Sequence, residues 1–460
     1  MPPSPSPVRA CHLDLKGVPP TAGRLLTLLD LAQAAGYTAV LVEWEDQFPW
    51  SEPAFRSPTC YSRAEVDAFH QRAGELGLEV IPLVQCLGHL ETFLRPPAYA
   101  HLREVPSGLD VLNPLAPGAQ ALIAGLVEEV LAATPSLRHF HLGGDEAWSF
   151  GTHPDTAAFV ARHGKAALYL QHVGPLLDRL NARQVRPILW HDMMAAWEAP
   201  ALRELAARAD LCVWAYNRYD RELYPWLRPQ EPDEGGDGLP VLAGGCQPVC
   251  GKLLRRFQAA GVAMWGAGAF RCGRRRPVHP DLPVVPERLG NARDWQAFAE
   301  VFPMQGLVAT GWARMTTNGL QVLPLDAALD ALIGVGQIWA GGDPARTQAV
   351  LEKLGEAGRF HACRELMHRL AVQRDCAWEN VIRCRELIAS FANDPQRSGQ
   401  RPAQAIGYLR NHVTQIGNLA VEAESVFAGL VPDLWIRRYC HERLEPLRRE
   451  LAEIERLSAG

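Results

Sequence analysis

Two acidic residues stand side by side at the end of the segment His141-Leu142-Gly143-Gly144-Asp145-Glu146. Carboxylates near a reacting bond give and take protons, or stabilise charge that develops there. Adjacency is awkward for the common version of that chemistry, which sets an acid and a nucleophile on either side of the scissile bond at about 5 Å. Neighbours in extended chain point to opposite faces. Gly143 and Gly144 relax the backbone just before the pair, so both carboxylates can reach one ligand from different directions. The pattern predicts a division of labour between Asp145 and Glu146.

Other groups fit for chemistry recur at intervals, each closing a short apolar run: Asp14, then Glu43 to Asp46, Gln85 with His89, His191 and Asp192, Tyr216, and Trp312 with Arg314. The runs that must position them read as strands over Arg9–Leu15, Ala39–Trp44, Glu79–Gln85, Arg138–Gly143, Arg186–His191, Asp210–Trp214, Val262–Gly266 and Gly306–Gly311. Helix-period segments alternate with them, at Ala22–Ala35, Arg63–Leu76, Gly118–Ala132, Ala157–Ala182 and Ala201–Ala209. Alternation of this kind makes a parallel sheet, and eight such units predict an α/β chain folded as a (β/α)8 TIM barrel. Its active face lies at the C-terminal ends of the strands, where the polar groups cluster.

Past Leu325 the pattern turns helical: Asp326–Trp339 as the last barrel helix, then Ala345–Glu356, Arg359–Phe391, Pro402–Leu430 and Trp435–Leu457. Residues 1–340 are therefore expected to form the catalytic barrel and 341–460 a C-terminal helical bundle. The amphipathic period fits packing on the barrel or pairing of two copies, so a homodimer is among the expectations. The acidic loop Glu231–Gly238 and the basic stretch Arg271–Arg276 read as solvated insertions, with Arg271 near enough to the seventh strand end to touch substrate.

Composition narrows the field. The chain has 460 residues, 48% hydrophobic and 21% charged, and 46 Lys+Arg against 51 Asp+Glu leave a net charge of −5. No basic surface for a nucleic-acid backbone follows from that balance. No run approaches the ~18 apolar residues of a membrane span. Met1 to Pro7 lacks the charged and apolar regions of a secretory signal. Eleven cysteines are scattered along the chain, which suits a reducing cytoplasm. Cys246 and Cys250 lack a second Cys/His pair, so neither a zinc site nor a cofactor is expected.

The segment His141 to Glu146 resembles the His-x-Gly-Gly-Asp-Glu signature of the family 20 β-N-acetylhexosaminidases. His12-Leu13-Asp14-Leu15-Lys16-Gly17, Glu43-Trp44-Glu45-Asp46-Gln47-Phe48-Pro49, Ile81 to Gln85 with Gly88-His89, and Thr310-Gly311-Trp312 resemble that family's intracellular hexosaminidase D branch. The resemblance spans Val8 to Trp339. It implies substrate-assisted cleavage of a terminal β-linked sugar, in which the substrate's own 2-acetamido oxygen attacks the anomeric carbon. Glu146 would be the acid and then the base, and Asp145 would orient the acetamido N–H. Asp46 and His89 would relay to the acid. Tyr216 would hold the acetamido oxygen, and Trp190, Trp214, Trp265 and Trp312 would wall the sugar. Asp14, Glu43, Asp192 and Arg314 complete the substrate-binding candidates.

Two positions depart from the secreted members, which carry an arginine at the first strand end and a glutamate two residues after the eighth-strand tryptophan. Here Asp14 and Lys16 take the first place and Arg314 the second. Two other readings of the same strand ends are a metal-dependent sugar isomerase or epimerase, using Glu43, Asp145, His191 and Asp192, and a carbohydrate-binding barrel without turnover.

Overall fold

The computed structural model describes residues 7–218, 238–243, 248–272, 284–314, 319–394, 396 and 401–459. Eight parallel strands close into a barrel: β1 (Val8–Asp14), β2 (Ala39–Glu43), β3 (Glu79–Leu83), β4 (His139–His141), β5 (Arg186–Trp190), β6 (Asp210–Trp214), β7 (Met264–Arg271) and β8 (Met304–Gly311). Each pairs with its sequence neighbours, and β8 closes on β1. A two-residue antiparallel ribbon, Asn217–Arg218 with Leu242–Ala243, rises after β6. All eight expected strands are present, and the α/β barrel with its C-terminal helices is the observed architecture.

Alternation along the strands sorts the side chains into two apolar clusters. Ala10, Leu41, Ile81, Ile188, Cys212, Ala267 and Val308 fill the barrel interior, whereas Cys11, Val40, Val42, Phe140, Leu189, Val213 and Leu307 face the helices. Inward residues thus follow a fixed parity on each strand. Both faces are buried, which is why the strands read as continuous apolar runs.

Two boundaries differ from expectation. The segment read as one helix over Ala157–Ala182 is two, Pro154–His163 and Lys165–Ala182, separated at Gly164 with φ 85°. Strand β7 continues five residues beyond the expected Gly266, to Arg271. Arg271 is accordingly no solvated loop residue. It is buried, and its guanidinium donates to the carbonyls of Gly311 and Leu323. Residues 273–276 of the basic stretch, residues 231–237 of the acidic loop and Cys246 lie outside the described residues.

The tail is built from three long helices, Ala357–Asn393, Pro402–Val426 and Asp433–Ala459. They fold back on the barrel. Leu366, Leu409 and Leu447 belong to the same apolar cluster as Leu25 and Leu325 of the barrel shell. Polar ties reinforce the seam: Thr21 N–H to the Leu430 carbonyl (2.8 Å), Trp435 Nε1 to Thr59 Oγ1 (2.6 Å), and the Arg443 guanidinium to the Gln321 carbonyl (2.7 Å). Docking on the barrel accounts for the amphipathic period, so that period gives no ground for the expected homodimer. No described helix is long and apolar enough to cross a membrane.

Arg24, in the first barrel helix, is buried between Asp326 (2.7 Å) and Glu356 (2.8 Å), which flank the last barrel helix and the start of the tail. Removing one partner of a buried ion cluster leaves uncompensated charge, at a cost of about 3–5 kcal/mol. Arg24→Ala should lose that much unfolding free energy in urea titration. A loss below about 1 kcal/mol would show that this cluster does not hold the seam.

Candidate active site

One parity supplies most of the mouth. Inward positions continue past the strand ends through His12, Asp14 and Lys16, then Glu43 and Glu45, Gln85, His141 and Asp145, Trp190 and Asp192, Trp214 and Tyr216, and Trp312 and Arg314. Lys16 forms a buried hub. Its Nζ lies 2.6 Å from Glu43, 3.4 Å from Asp14 and 3.8 Å from Glu45, and it sits over the Trp312 ring at 5.8 Å. Burial alone would strip its proton, but those three carboxylates hold it well above the ordinary lysine value. Burial alone would likewise raise Glu43, yet Lys16 and His12 hold it well below the carboxylate range. Glu45 fares differently: burial, with Glu43 nearby, outweighs Lys16 and pushes it up to about 8.

The Gly-Gly turn rests on this hub through Gln85. Its Nε2 donates to Glu43 (3.4 Å), and its Oε1 accepts from Gly144 N–H (3.2 Å). Gly143 has φ 60°, and a Cβ there would fall 1.9 Å from Gln85 Oε1. Gly144 has φ 82°, and its carbonyl accepts from the buried Tyr169 hydroxyl at 3.2 Å. Gly88 packs so closely that a Cβ would fall 2.0 Å from the Asp145 carbonyl. Sequence reasoning noted Gln85 and Lys16 without assigning them a role, and it missed Glu45 and His12. The two-residue parity that carries Asp14 and Glu43 to the mouth also contains these four, and it is the signal that could have found them.

Asp145 and Glu146 do not diverge as extended neighbours would. Glu146 takes φ 45°, and both carboxylates reach the same atom, His89 Nε2, at 3.4 Å each. Burial opposes protonation of His89, but the Asp145 charge and the hydrogen bonds to Asp145 and Glu146 hold it well above the ordinary histidine value. The expected Asp46–His89 pair is not what forms. Asp46 accepts from Gln47 Nε2 (2.8 Å) and sits in the field of Arg314 and Lys16. Among the described residues, His89, Asp145 and Glu146 also form a group whose ligand atoms lie within 4.8 Å, close enough for a cation. Such a cation would compete with the proton for the same His89 nitrogen. The ligand set imagined for an isomerase does not converge: Glu43 is held by Lys16, and His191 Nδ1 accepts from Trp214 N–H.

Asp192 is a positioning residue. One oxygen accepts Glu146 N–H (2.9 Å) and the other the Trp214 indole N–H (3.2 Å). Burial and the nearby Asp145 push it up to about 7. Trp214 stacks on Tyr216 at 5.3 Å, and Trp190 lies 5.9 Å from Trp312, so these four aromatics share the mouth. Trp265 does not join them. It is the second residue of β7, and its indole donates to Asp210 at the start of β6, which puts it at the opposite end of the barrel. Asp14 also turns away from any ligand, since its oxygens accept the N–H groups of Lys16 (3.0 Å) and Ala313 (2.8 Å). Arg314 is buried against Gly17, in the field of Asp46 and Asp14.

Two adjacent carboxylates converging on one imidazole, with four aromatics beside them at the C-terminal mouth of a (β/α)8 barrel, fit a carbohydrate-cleaving enzyme, a glycoside hydrolase. Residues 42–223 match the model of the glycosyl hydrolase family 20 catalytic domain. The chain is 30% identical to human Hexosaminidase D over 362 residues, 76% of this chain and 69% of that protein. It is 30% identical to bovine Hexosaminidase D over 317 residues, 67% of this chain and 84% of that protein. The chain belongs to glycosyl hydrolase family 20. Its fold is similar to that of a chitobiase from Flavobacterium johnsoniae, with TM-score 0.52 and 14% identity across 98% of this chain and 72% of that one. A β-N-acetylhexosaminidase from Bacteroides fragilis gives TM-score 0.50 and 15% identity, across 72% and 65% of the two chains.

Two outcomes test this geometry. Gly143→Ala forces a strained φ and a collision with Gln85, and misplacing a catalytic group by about 1 Å can cost ~10²-fold. The variant should lose about that much kcat/KM with its far-UV circular dichroism preserved; activity near wild type would show that the turn tolerates a side chain. Imidazole NMR should find His89 protonated at neutral pH, with the proton released at lower pH in Asp145→Asn than in wild type. An unshifted titration would remove Asp145 as the partner.

Proposed function

We propose that this chain is an exo-acting β-N-acetylhexosaminidase that removes terminal β-linked N-acetylglucosamine or N-acetylgalactosamine by substrate-assisted, retaining catalysis. The observation that carries the proposal is the shared His89 nitrogen. With both carboxylates 3.4 Å from one imidazole, the space between them is filled, and a glycosidic bond cannot be set between acid and nucleophile as two-carboxylate enzymes require. A nucleophile supplied by the substrate's own acetamido group fits this arrangement. The names of the curated relatives, Hexosaminidase D, support the acetamido sugar that would supply it.

In this reading the acetamido oxygen attacks the anomeric carbon as the bond to the leaving oxygen breaks, and Glu146 gives that oxygen its proton. Asp145 accepts the acetamido N–H and stabilises the cationic oxazolinium that results. Glu146 then takes a proton from water, whose oxygen attacks the anomeric carbon and opens the ring with retention. His89 balances the two carboxylates, Asp192 holds the Glu146 backbone, and Tyr216 receives the acetamido oxygen. Trp190, Trp214 and Trp312 wall the sugar, with Arg314 and Asp46 on the outer-hydroxyl side. We assign residues 1–340 to the catalytic barrel and 341–460 to a supporting helical bundle. A cytoplasmic location agrees with the ten described cysteines, all of them free thiols.

Hydrolysis of aryl β-N-acetylglucosaminide and β-N-acetylgalactosaminide by wild type, Glu146→Gln and Asp145→Asn tests the roles. A general acid contributes roughly 10²–10⁴-fold. Glu146→Gln should lose that much on poor leaving groups and far less on activated aryl groups, while Asp145→Asn should suppress every acetamido substrate. Equal wild-type activity on plain β-glucosides would overturn the mechanism, because they have no acetamide to attack with.

A further inference from the structure

Gln321 stands on the loop that follows β8, and no step of the reaction above uses it. The residue is buried, 1% exposed. Among the described residues, neither its Nε2 nor its Oε1 has a hydrogen-bond partner. Buried amides are normally paired, because an unpaired one forfeits its hydration without return. One donor and one acceptor are thus held ready side by side. The surrounding contacts fix where they are presented. Gln321 pairs with Arg314 across a short antiparallel bridge, and residues directly opposite in such a pair carry their side chains on the same face. Both flank Gly17, where a Cβ would lie 2.7 Å from Arg314 Nε and 3.1 Å from Gln321 Cγ. Gln321 therefore shares the wall of the mouth with Arg314, beside the loop after β1. From behind, the buried Arg443 of the last helix donates to the Gln321 carbonyl at 2.7 Å. The backbone is pinned, while two torsions beyond Cγ leave the amide free to turn toward a ligand.

Strand order decides which part of a sugar this wall meets. In the closed ring of eight strands, β4 and β8 are four steps apart in either direction. Gln321, after β8, and Asp145, after β4, therefore stand on opposite sides of the mouth. Asp145 takes the acetamido group on C2 of the sugar. The pyranose ring atom opposite C2 is C5, which bears the hydroxymethyl group. Asp145 Oδ1 is likewise buried without a partner, so unpaired polar atoms wait on both sides of one ring.

We propose that Gln321 is a specificity-determining residue that binds the C6 hydroxyl of the sugar being removed, and that the last helix holds it in place for that purpose. The proposal rests on the hexosaminidase reading and adds to it the sugar group that is recognised. A hydroxyl both donates and accepts, as the amide does, so either amide atom finds its complement there. The neighbouring Arg314 guanidinium has donors alone. Through Arg443 the helical tail takes part in choosing the substrate, although it lies outside the barrel.

The test uses aryl β-N-acetylglucosaminide and its 6-deoxy analogue with wild type, Gln321→Met and Gln321→Asn. Methionine keeps the length and removes the amide; asparagine keeps the amide and withdraws it by one methylene. A neutral hydrogen bond is worth about three- to tenfold. On the parent sugar both variants should lose about that much kcat/KM, chiefly through KM, since binding common to ground state and transition state is removed. On the 6-deoxy sugar they should match wild type. Losses of the same size on both sugars would make Gln321 a mere support of the loop and overturn the proposal, as would no loss on the parent. Urea titration separates the two roles again. With no partner to lose, Gln321→Met should be no less stable than wild type; a lower midpoint would give the amide a structural partner and count against sugar binding. A wild type that cleaves neither sugar would overturn the hexosaminidase reading itself, whereas an active wild type with undiscriminating variants would sink the role of Gln321 alone.

Discussion

Carboxylates cannot be taken out of water without positive partners, and the mouth of this barrel gathers Asp14, Glu43, Glu45, Asp46, Asp145, Glu146 and Asp192. Cations placed among them answer that charge. Lys16 lies among Asp14, Glu43 and Glu45; His89 lies between Asp145 and Glu146; Arg314 feels Asp46 and Asp14. Burial and neighbouring carboxylates push Glu45 up to about 8 and Asp192 up to about 7, which favours proton uptake where no cation sits close enough. The arrangement of the site follows from this balance. Gln85 hangs from Glu43 and holds the Gly-Gly turn, so the position of Asp145 traces back, strand by strand, to a lysine after β1.

The balance also links the two positions that depart from the secreted members. Lys16 and Arg314 come from opposite ends of the barrel sequence, but both act on Asp14, which in turn fixes Ala313. Gly17 leaves room for Arg314, since a Cβ there would sit 2.7 Å from its Nε. Changing the charge at residue 16 alone would leave Asp14 and Glu43 without their nearest cation. The pair is better understood as one electrostatic unit than as two separate losses.

Much of this was readable from the residues. Eight apolar runs gave eight strands, and polar groups at their ends gave the mouth, because burial on both faces and an exposed C-terminal rim are written directly into composition. Depth was harder to see. Trp265 has the right parity but lies too early on β7, and parity reports which face a residue takes, never how far along the barrel axis it sits. Arg271 read as part of a basic loop because its chain neighbours are arginines, while its own contacts are buried carbonyls. The convergence of Asp145 and Glu146 on His89 depends on backbone that extended-chain rules exclude. Glu146, His89 and Glu45 all adopt positive φ without being glycine. Such conformations cost about 1–3 kcal/mol each and persist only where the surroundings enforce them, so no local rule could have placed these residues.

The last helix bears on when the enzyme becomes competent. Arg443 grips the carbonyl of Gln321, and Gln321 pairs across a short bridge with Arg314, which lies in the field of Asp46 and Asp14. A chain still on the ribosome has its barrel strands in hand by residue 311, but it has not yet released the residue that secures the eighth-strand loop. Synthesis order therefore separates making the last strand from finishing the mouth, because the residue that secures the loop after that strand is among the last to be made.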